Sequence, residues 1–263
     1  MIFAFDLISD LHVETWDTFD WSGQATSPFC IVAGDVARDR QTLISTLTHL
    51  GQCYPGGVFY TDGNDEHRYY LEDLGQSYEN LAKEIKRIPN VIYMHDHVVV
   101  VNGVAIVATN GWWSYDFDPN LDFEQSVDFA RGHFQISTAH ARNIAATSHQ
   151  DAAYMINSVR KLQTHKEVGA IILVTHTVPA PWIIHHDLDL MDHWRFNGMG
   201  NSEIARAVDV DHENKIKAWC FGHYHRPVDQ QYNNVRYINN PRGRGNTPWN
   251  QAAFYPKRIE ISF

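Results

Sequence analysis

A chain of 263 residues, 44% apolar and 20% charged, is long enough to bury a substantial core and suits one large α/β domain. Its net charge of −10 argues against nucleic-acid binding by bulk electrostatics, although a local basic pocket stays open. Three cysteines, Cys30, Cys53 and Cys220, are an odd number, and two of them lie in apolar runs. That usage fits reduced core thiols in a cytoplasmic protein better than a disulfide framework.

The first apolar run, Ile2 to Ile8, reads as a buried strand that exits through Ser9-Asp10-Leu11-His12. It carries Asp6 and is too short and too acidic for a signal peptide or a membrane span. Asp10 and His12, one residue apart, point to one side if the chain stays extended. After loop-like residues 17–28, Phe29 to Ala33 is a short continuous apolar run ending in Gly34-Asp35. Leu43, Ile44, Leu47 and Leu50 recur at helical spacing. Val58 to Thr61 predicts a third strand ending in Gly63-Asn64-Asp65-Glu66, and Leu71, Leu74, Tyr78, Leu81, Ile85 and Ile88 a second helix closed by Pro89.

Asn102-Gly103, between the runs 98–101 and 104–108, is a hairpin signal. A helical region is predicted from Glu124 to His165 with a break near Gly132. Ala170 to Val174 is a buried strand ending in Thr175-His176. Residues 182–194, rich in aromatics and histidine, read as an ordered loop over the site, and residues 204–208 as a short helix. Lys217 to Phe221 is a strand ending in Gly222-His223-Tyr224-His225, and the tail adds strands at 228–232, 235–239 and 258–262. Strand, polar loop and helix alternate as in a layered α/β fold. No linker or repeat divides the chain, so residues 1–263 read as a single domain.

Five apolar strands end in metal-ligand residue types: Asp10 and His12, Asp35, Asn64, His176, and His223 with His225. In this order the chain resembles the calcineurin-like metallophosphoesterases, whose motifs run D-x-H, G-D, G-N-H-[ED], a lone His after a strand, and G-H-x-H. The resemblance extends from residue 2 to about residue 242, since Asn240-Pro241-Arg242-Gly243 also looks like an ending of bacterial members. It implies a four-layer α/β/β/α sandwich with two divalent ions. Asp10, His12 and His225 would hold one ion, Asn64, His176 and His223 the other, and Asp35 would bridge them. Mixed carboxylate, amide and imidazole ligands suit manganese first, with iron or zinc as alternatives. The resemblance further implies in-line attack on phosphorus by hydroxide generated between the ions, with no covalent intermediate and Asp35 as a catalytic bridge.

One position departs from the pattern. The family His that is usually assigned as proton donor to the leaving group is Asp65 here. A carboxyl with an ordinary pKa near 3.9 beside two dications is expected to be charged and a poor acid. Three readings stay open: an enzyme for good leaving groups, an engineered variant that traps ligand, or a binding site that has lost catalysis. His67 is a weak substitute donor and reads as an ordinary surface residue. Arg38 and Arg40 could reach a phosphate, against a solvated helix start; Arg242 and Arg244, flanked by glycines, could do the same. Trp112, Trp113, Trp182 and Trp194 lie near motif positions and could stack a nucleobase, against ordinary packing. His185, His186 and His193 are not expected to be ligands.

The chain is therefore expected to be a cytoplasmic, dinuclear metal-dependent phosphoesterase acting on a small phosphomonoester or phosphodiester, with a nucleotide as the leading substrate. The partner is the substrate, with no membrane. A nuclease with the same ions is disfavoured by charge. A catalytically impaired metal- and phosphate-binding protein is the reading that Asp65 keeps open.

Overall fold

The computed structural model describes residues 1–69, 73–134, 136–245 and 253–263. Its first strand, β1 (Ile2–Ile8), is followed by β2 (Phe29–Ala33), α1 (Arg40–Cys53), β3 (Gly57–Thr61), α2 (Leu74–Ile85) and β4 (Val91–Tyr93). β1 to β4 are parallel neighbours. Parallel strands need crossovers, and two of these are α1 and α2. Asp39 and Asp73 cap the two helices by accepting from Thr42 N and Gln76 N. The last strand, β11 (Lys257–Ser262), adds antiparallel to β1 and completes a sheet of order β11-β1-β2-β3-β4.

The second sheet opens with the expected hairpin, β5 (His97–Val101) and β6 (Val104–Ala108), turned at Asn102 and Gly103 in left-handed backbone. Helices α3 (Phe123–Phe134) and α4 (Thr138–Leu162) lead to β7 (Ala170–Val174), a series of short 3₁₀ turns with α5 (His193–Asn197), and β8 (Ile216–Phe221). β9 (Asp229–Tyr232) and β10 (Val235–Asn239) finish a sheet of order β5-β6-β7-β8-β10-β9. Strands β6, β7, β8 and β10 run parallel.

Three apolar clusters set the layers. Phe5, Leu7 and Ile31 of the first sheet meet Ile106, Ile172 and Cys220 of the second. The outer face of the first sheet packs on α1 and α2 through Val32, Tyr60, Leu47 and Leu81. The outer face of the second packs on α4 through Leu173, Trp219, Met155 and Val159. Helix, sheet, sheet and helix follow in that order, as the family resemblance implies. Among the described residues, no helix is long and apolar enough to cross a membrane.

Several local expectations are corrected. The exposed Gly132 does not break the helical region but sits within α3, and α4 starts anew at Thr138, where Ser137 makes a reciprocal cap with His140. Residues 182–194 form short 3₁₀ turns and the start of α5 rather than a loop, pinned by buried Ile183, Ile184 and Phe196. β4 was not expected, and α2 begins at Leu74; the anticipated helical position Leu71 lies outside the described residues.

Ile172 is fully buried where the two sheets meet. Replacing it with Ala leaves a cavity between layers that cannot collapse without moving both sheets. Ile172→Ala is expected to lower unfolding free energy by about 2–5 kcal/mol, read as a lower urea midpoint at an unchanged denaturant slope.

Candidate metal centre

Both sheets deliver polar residues to one edge because their parallel strands end there. β1, β2 and β3 lead to Asp10 and His12, Asp35, and Asn64; β7 and β8 lead to His176, and to His223 and His225. Backbone bonds tie the edges together: Asp10 N donates to Gly34 O at 2.9 Å, and Gly222 N to His176 O at 2.7 Å. His223 N crosses from the second sheet to Asp10 Oδ1 at 2.9 Å.

The chain reaches this geometry through left-handed backbone. Asp10, His12, Asp35 and His223 have φ of 50°, 42°, 53° and 64°. Such strain persists only where surrounding structure imposes it, and it gathers at functional sites. Extended alternation therefore does not bring Asp10 and His12 together, as the spacing alone suggests; β1 ends at Ile8 and both residues lie in the turn beyond it. Gly63 is required by close approach, since a Cβ there would lie 2.2 Å from Asp35 Oδ1 and 2.5 Å from Asp35 N.

The side chains form two groups. Donor atoms of Asp10, His12, Asp35 and His225 lie within 4.8 Å of one another, as do those of Asp35, His176 and His223. Asp35 belongs to both. His12 Nε2 is 3.1 Å from His225 Nε2 and 3.7 Å from Asp35 Oδ2; His225 Nε2 is 3.4 Å from Asp10 Oδ1. His176 Nε2 is 3.4 Å from Asp35 Oδ1 and 3.1 Å from Asn64 Oδ1. The structure thus brings together all seven residues of the motif set.

Two imidazoles have their tautomers fixed by carbonyls, which can only accept. His176 Nδ1–H donates to Ala33 O at 2.9 Å, which turns Nε2 toward Asn64 and Asp35. His223 Nε2–H donates to Gly198 O at 3.0 Å, which leaves the Nδ1 lone pair available to a metal. Burial lowers His12 to about 4 and His223 to about 3, so both rings are neutral at neutral pH, the form that ligates metals. Burial pushes the Asp35 carboxyl well above its usual range, and the Asp65 and Asp10 charges add to the shift. Asp10 Oδ2 is buried with no hydrogen-bond partner among the described residues. An orphaned carboxylate oxygen, a shared carboxylate and neutral imidazoles facing one space fit a pair of divalent ions.

Glu66 holds the two loops in place. Its carboxylate accepts from Gly63 N at 2.7 Å, Val36 N at 2.6 Å, Asp35 N at 3.1 Å and Ala37 N at 3.3 Å. Asp65 lies beside it and accepts from Arg38 Nε at 2.9 Å and from Arg244 Nη2. Despite burial, the His12 contact and the guanidinium of Arg244 hold the Asp65 carboxyl well below the usual carboxylate range.

Other expectations divide. Arg38 reaches the site edge; Arg40 begins α1 and comes within 3.9 Å of Glu84. Arg244 meets Asp65, whereas the Arg242 guanidinium lies over the Trp16 ring, 4.1 Å from its centroid. His67 is not a surface residue: it is buried, with Nε2 2.8 Å from Asp62 Oδ2 and Nδ1 2.8 Å from Ser77 Oγ. Both its nitrogens are committed there. Trp112 is fully buried and donates to Tyr78 Oη, and Trp113 stacks on His223 at 5.6 Å between ring centroids. Trp182 packs against Tyr232 and Tyr237, and the side chain of Trp194 lies outside the described residues. His193 pairs with Asp118, and His185 and His186 stand outside both donor groups.

No protein-family model matches this sequence, and no curated protein matches it. Among solved structures, the chain is similar to phosphopantetheinyl hydrolase from Mycobacterium tuberculosis, with a TM-score of 0.73 and 20% identity over 97% of this chain and 95% of that one. It is also similar to a dimetal phosphatase from Danio rerio, with a TM-score of 0.53 and 14% identity over 97% and 91%. A Staphylococcus aureus protein described as a 5′-nucleotidase matches with a TM-score of 0.51 and 15% identity; the match covers 100% of this chain and 51% of that one, so this chain spans about half its length. At these identities the likeness is one of fold, and it agrees with the two-sheet architecture described above.

Gln at position 66 would keep the size of Glu66 but turn an amide nitrogen toward backbone N–H donors. Glu66→Gln is expected to cost about 1–3 kcal/mol in urea unfolding and to weaken manganese binding measured by calorimetry. Unchanged manganese affinity would show that the clamp does not shape the centre.

Proposed function

We propose that this chain is a phosphoester hydrolase working with two divalent ions, manganese first, with iron or zinc as alternatives. The observation that carries this reading is the pair of donor groups joined through Asp35 at the strand ends of both sheets. Asp10, His12 and His225 would hold one ion, Asn64, His176 and His223 the other, and Asp35 would serve both. The chemistry such a pair would supply there is polarisation of a phosphoryl group and a hydroxide nucleophile near neutral pH.

The chain's own residues do the rest. The carbonyls of Ala33 and Gly198 fix His176 and His223 in the ligating tautomer. Trp113 packs flat on His223 and shields that side from water. Arg38 and Arg244 place positive charge beside the centre, where a phosphate or its leaving group arrives. Asp65, charged between those arginines, has no proton to give. Departure of the leaving group therefore depends on its own stability as an anion.

The substrate class is a small phosphomonoester or phosphodiester. A nucleotide is one member, supported by the fold likeness to a protein described as a 5′-nucleotidase. Burial of Trp112 and the packing of Trp113 on His223 take both rings out of base stacking.

The test is hydrolysis of p-nitrophenyl phosphate and bis-p-nitrophenyl phosphate by metal-free protein to which manganese is restored. Turnover is expected only with metal, and His176→Ala is expected to reduce it more than about 100-fold. No turnover of either ester by protein shown to hold two ions would leave a metal- and phosphate-binding role instead. At saturating manganese, nitrophenyl esters are expected to react far faster than alkyl esters, and Asp65→His to narrow that gap. Equal rates on both ester types in the parent would show that a proton donor is present.

A further inference from the structure

Asp65 occupies a junction in the site. Its Oδ2 accepts from Arg38 Nε and Arg244 Nη2 and lies 3.2 Å from His12 Nδ1. Its Oδ1 accepts from Asn64 Nδ2 at 3.3 Å, and its amide donates to Asp35 Oδ1 at 2.9 Å. The carboxylate is 1% exposed, whereas the side chains of Arg38 and Arg244 are 31% and 23% exposed.

The two nitrogens of His12 face different surroundings. Nε2 faces Asp35 Oδ2 and His225 Nε2 within the first donor group. Nδ1 is buried, lies 3.2 Å from Asp65 Oδ2 and has no other partner among the described residues. A metal-binding imidazole generally gives its second N–H to a carboxylate, which fixes tautomer and ring orientation and makes the ligating nitrogen more basic. His176 and His223 use carbonyls for this purpose. His12, held in left-handed backbone at φ 42°, has Asp65.

We infer that Asp65 is a positioning residue that holds the His12 ring with Nδ1–H toward its own carboxylate and so presents Nε2 to the group formed by Asp10, Asp35 and His225. The inference rests on the two-ion reading above and assigns Asp65 a task in it. The two arginines complete the arrangement. A third carboxylate close to Asp10 and Asp35 adds repulsion, and the two guanidiniums offset it while anchoring Oδ2 from the rim. Donor atoms of His12, Glu14 and Asp65 also gather within 4.8 Å. Cation binding by that trio is opposed by the two guanidiniums on Asp65 Oδ2. Glu14 is exposed and serves as the control.

Calorimetric titration of manganese into metal-free parent, Asp65→Asn, Asp65→Glu and Glu14→Gln tests this. The parent is expected to bind two ions. Asp65→Asn should weaken one site about 10–100-fold and spare the other, Asp65→Glu should recover part of the loss, and Glu14→Gln should match the parent. Parental affinity at both sites in Asp65→Asn would overturn the inference, as would a loss in Glu14→Gln without one in Asp65→Asn. A second readout needs no variant: nitrogen NMR of the histidine rings in the metal-free and zinc-loaded parent. His12 should show a protonated Nδ1 in both and an unprotonated, then metal-bound, Nε2. The opposite tautomer would overturn the inference. A parent that binds no ion but shows this tautomer would sink the two-ion reading and leave the His12–Asp65 arrangement standing.

Discussion

The site depends on one carboxylate, that of Asp35, placed where three acidic side chains and four imidazoles meet out of water. Its own burial opposes its charge, and Asp65 and Asp10 oppose it further. Charges of one sign at such spacing in a poorly solvated place are stable only with compensating cations nearby. Two arginines on the Asp65 side supply part of that compensation. On the Asp10 side the donor atoms are histidine nitrogens and an unpartnered carboxylate oxygen, where divalent ions would complete the balance.

Much of the surrounding fold serves to hold Asp35 there. Gly34 precedes it at φ 81°, Asp35 itself lies at φ 53°, and Gly63 leaves room for its carboxylate. Glu66 takes the amides of Asp35, Val36 and Ala37 on one loop and of Gly63 on the other, joining the exits of β2 and β3 through one side chain. The sheets beneath are packed on both faces, so the strand ends cannot drift apart. Strain of this kind is affordable because the layers are rigid.

The clustering of the donor residues was legible because each group of them closes an apolar strand, and buried strands are the segments a sequence displays most clearly. The same logic gave the layered fold. What stayed hidden depends on tertiary partners or very short segments. β4 spans three residues, too few for periodicity to show. His67 has no local sign of burial, since its partners Asp62 and Ser77 are joined to it only by folding. Arg242 and Arg244 look alike in sequence; the Trp16 ring takes one guanidinium and Asp65 the other. The left-handed turns at Asp10 and His12 replace the simple alternation that a D-x-H spacing suggests.

Position 65 shows how a motif departure acquires meaning once its neighbours are known. In sequence it is a missing histidine beside an otherwise full ligand set, and loss of function is one fair reading. In space the substituted side chain is engaged on every side, by His12, Asn64 and two arginines. A carboxylate between guanidiniums keeps its negative charge. On the inference above it would thereby give up proton transfer and orient a neutral imidazole, that of His12. The arginines that stabilise it cannot themselves protonate a leaving group, since guanidinium stays charged in proteins. On the proposed hydrolase reading the position would exchange acid chemistry for fixed electrostatics, and selection among substrates would fall to the stability of the departing anion.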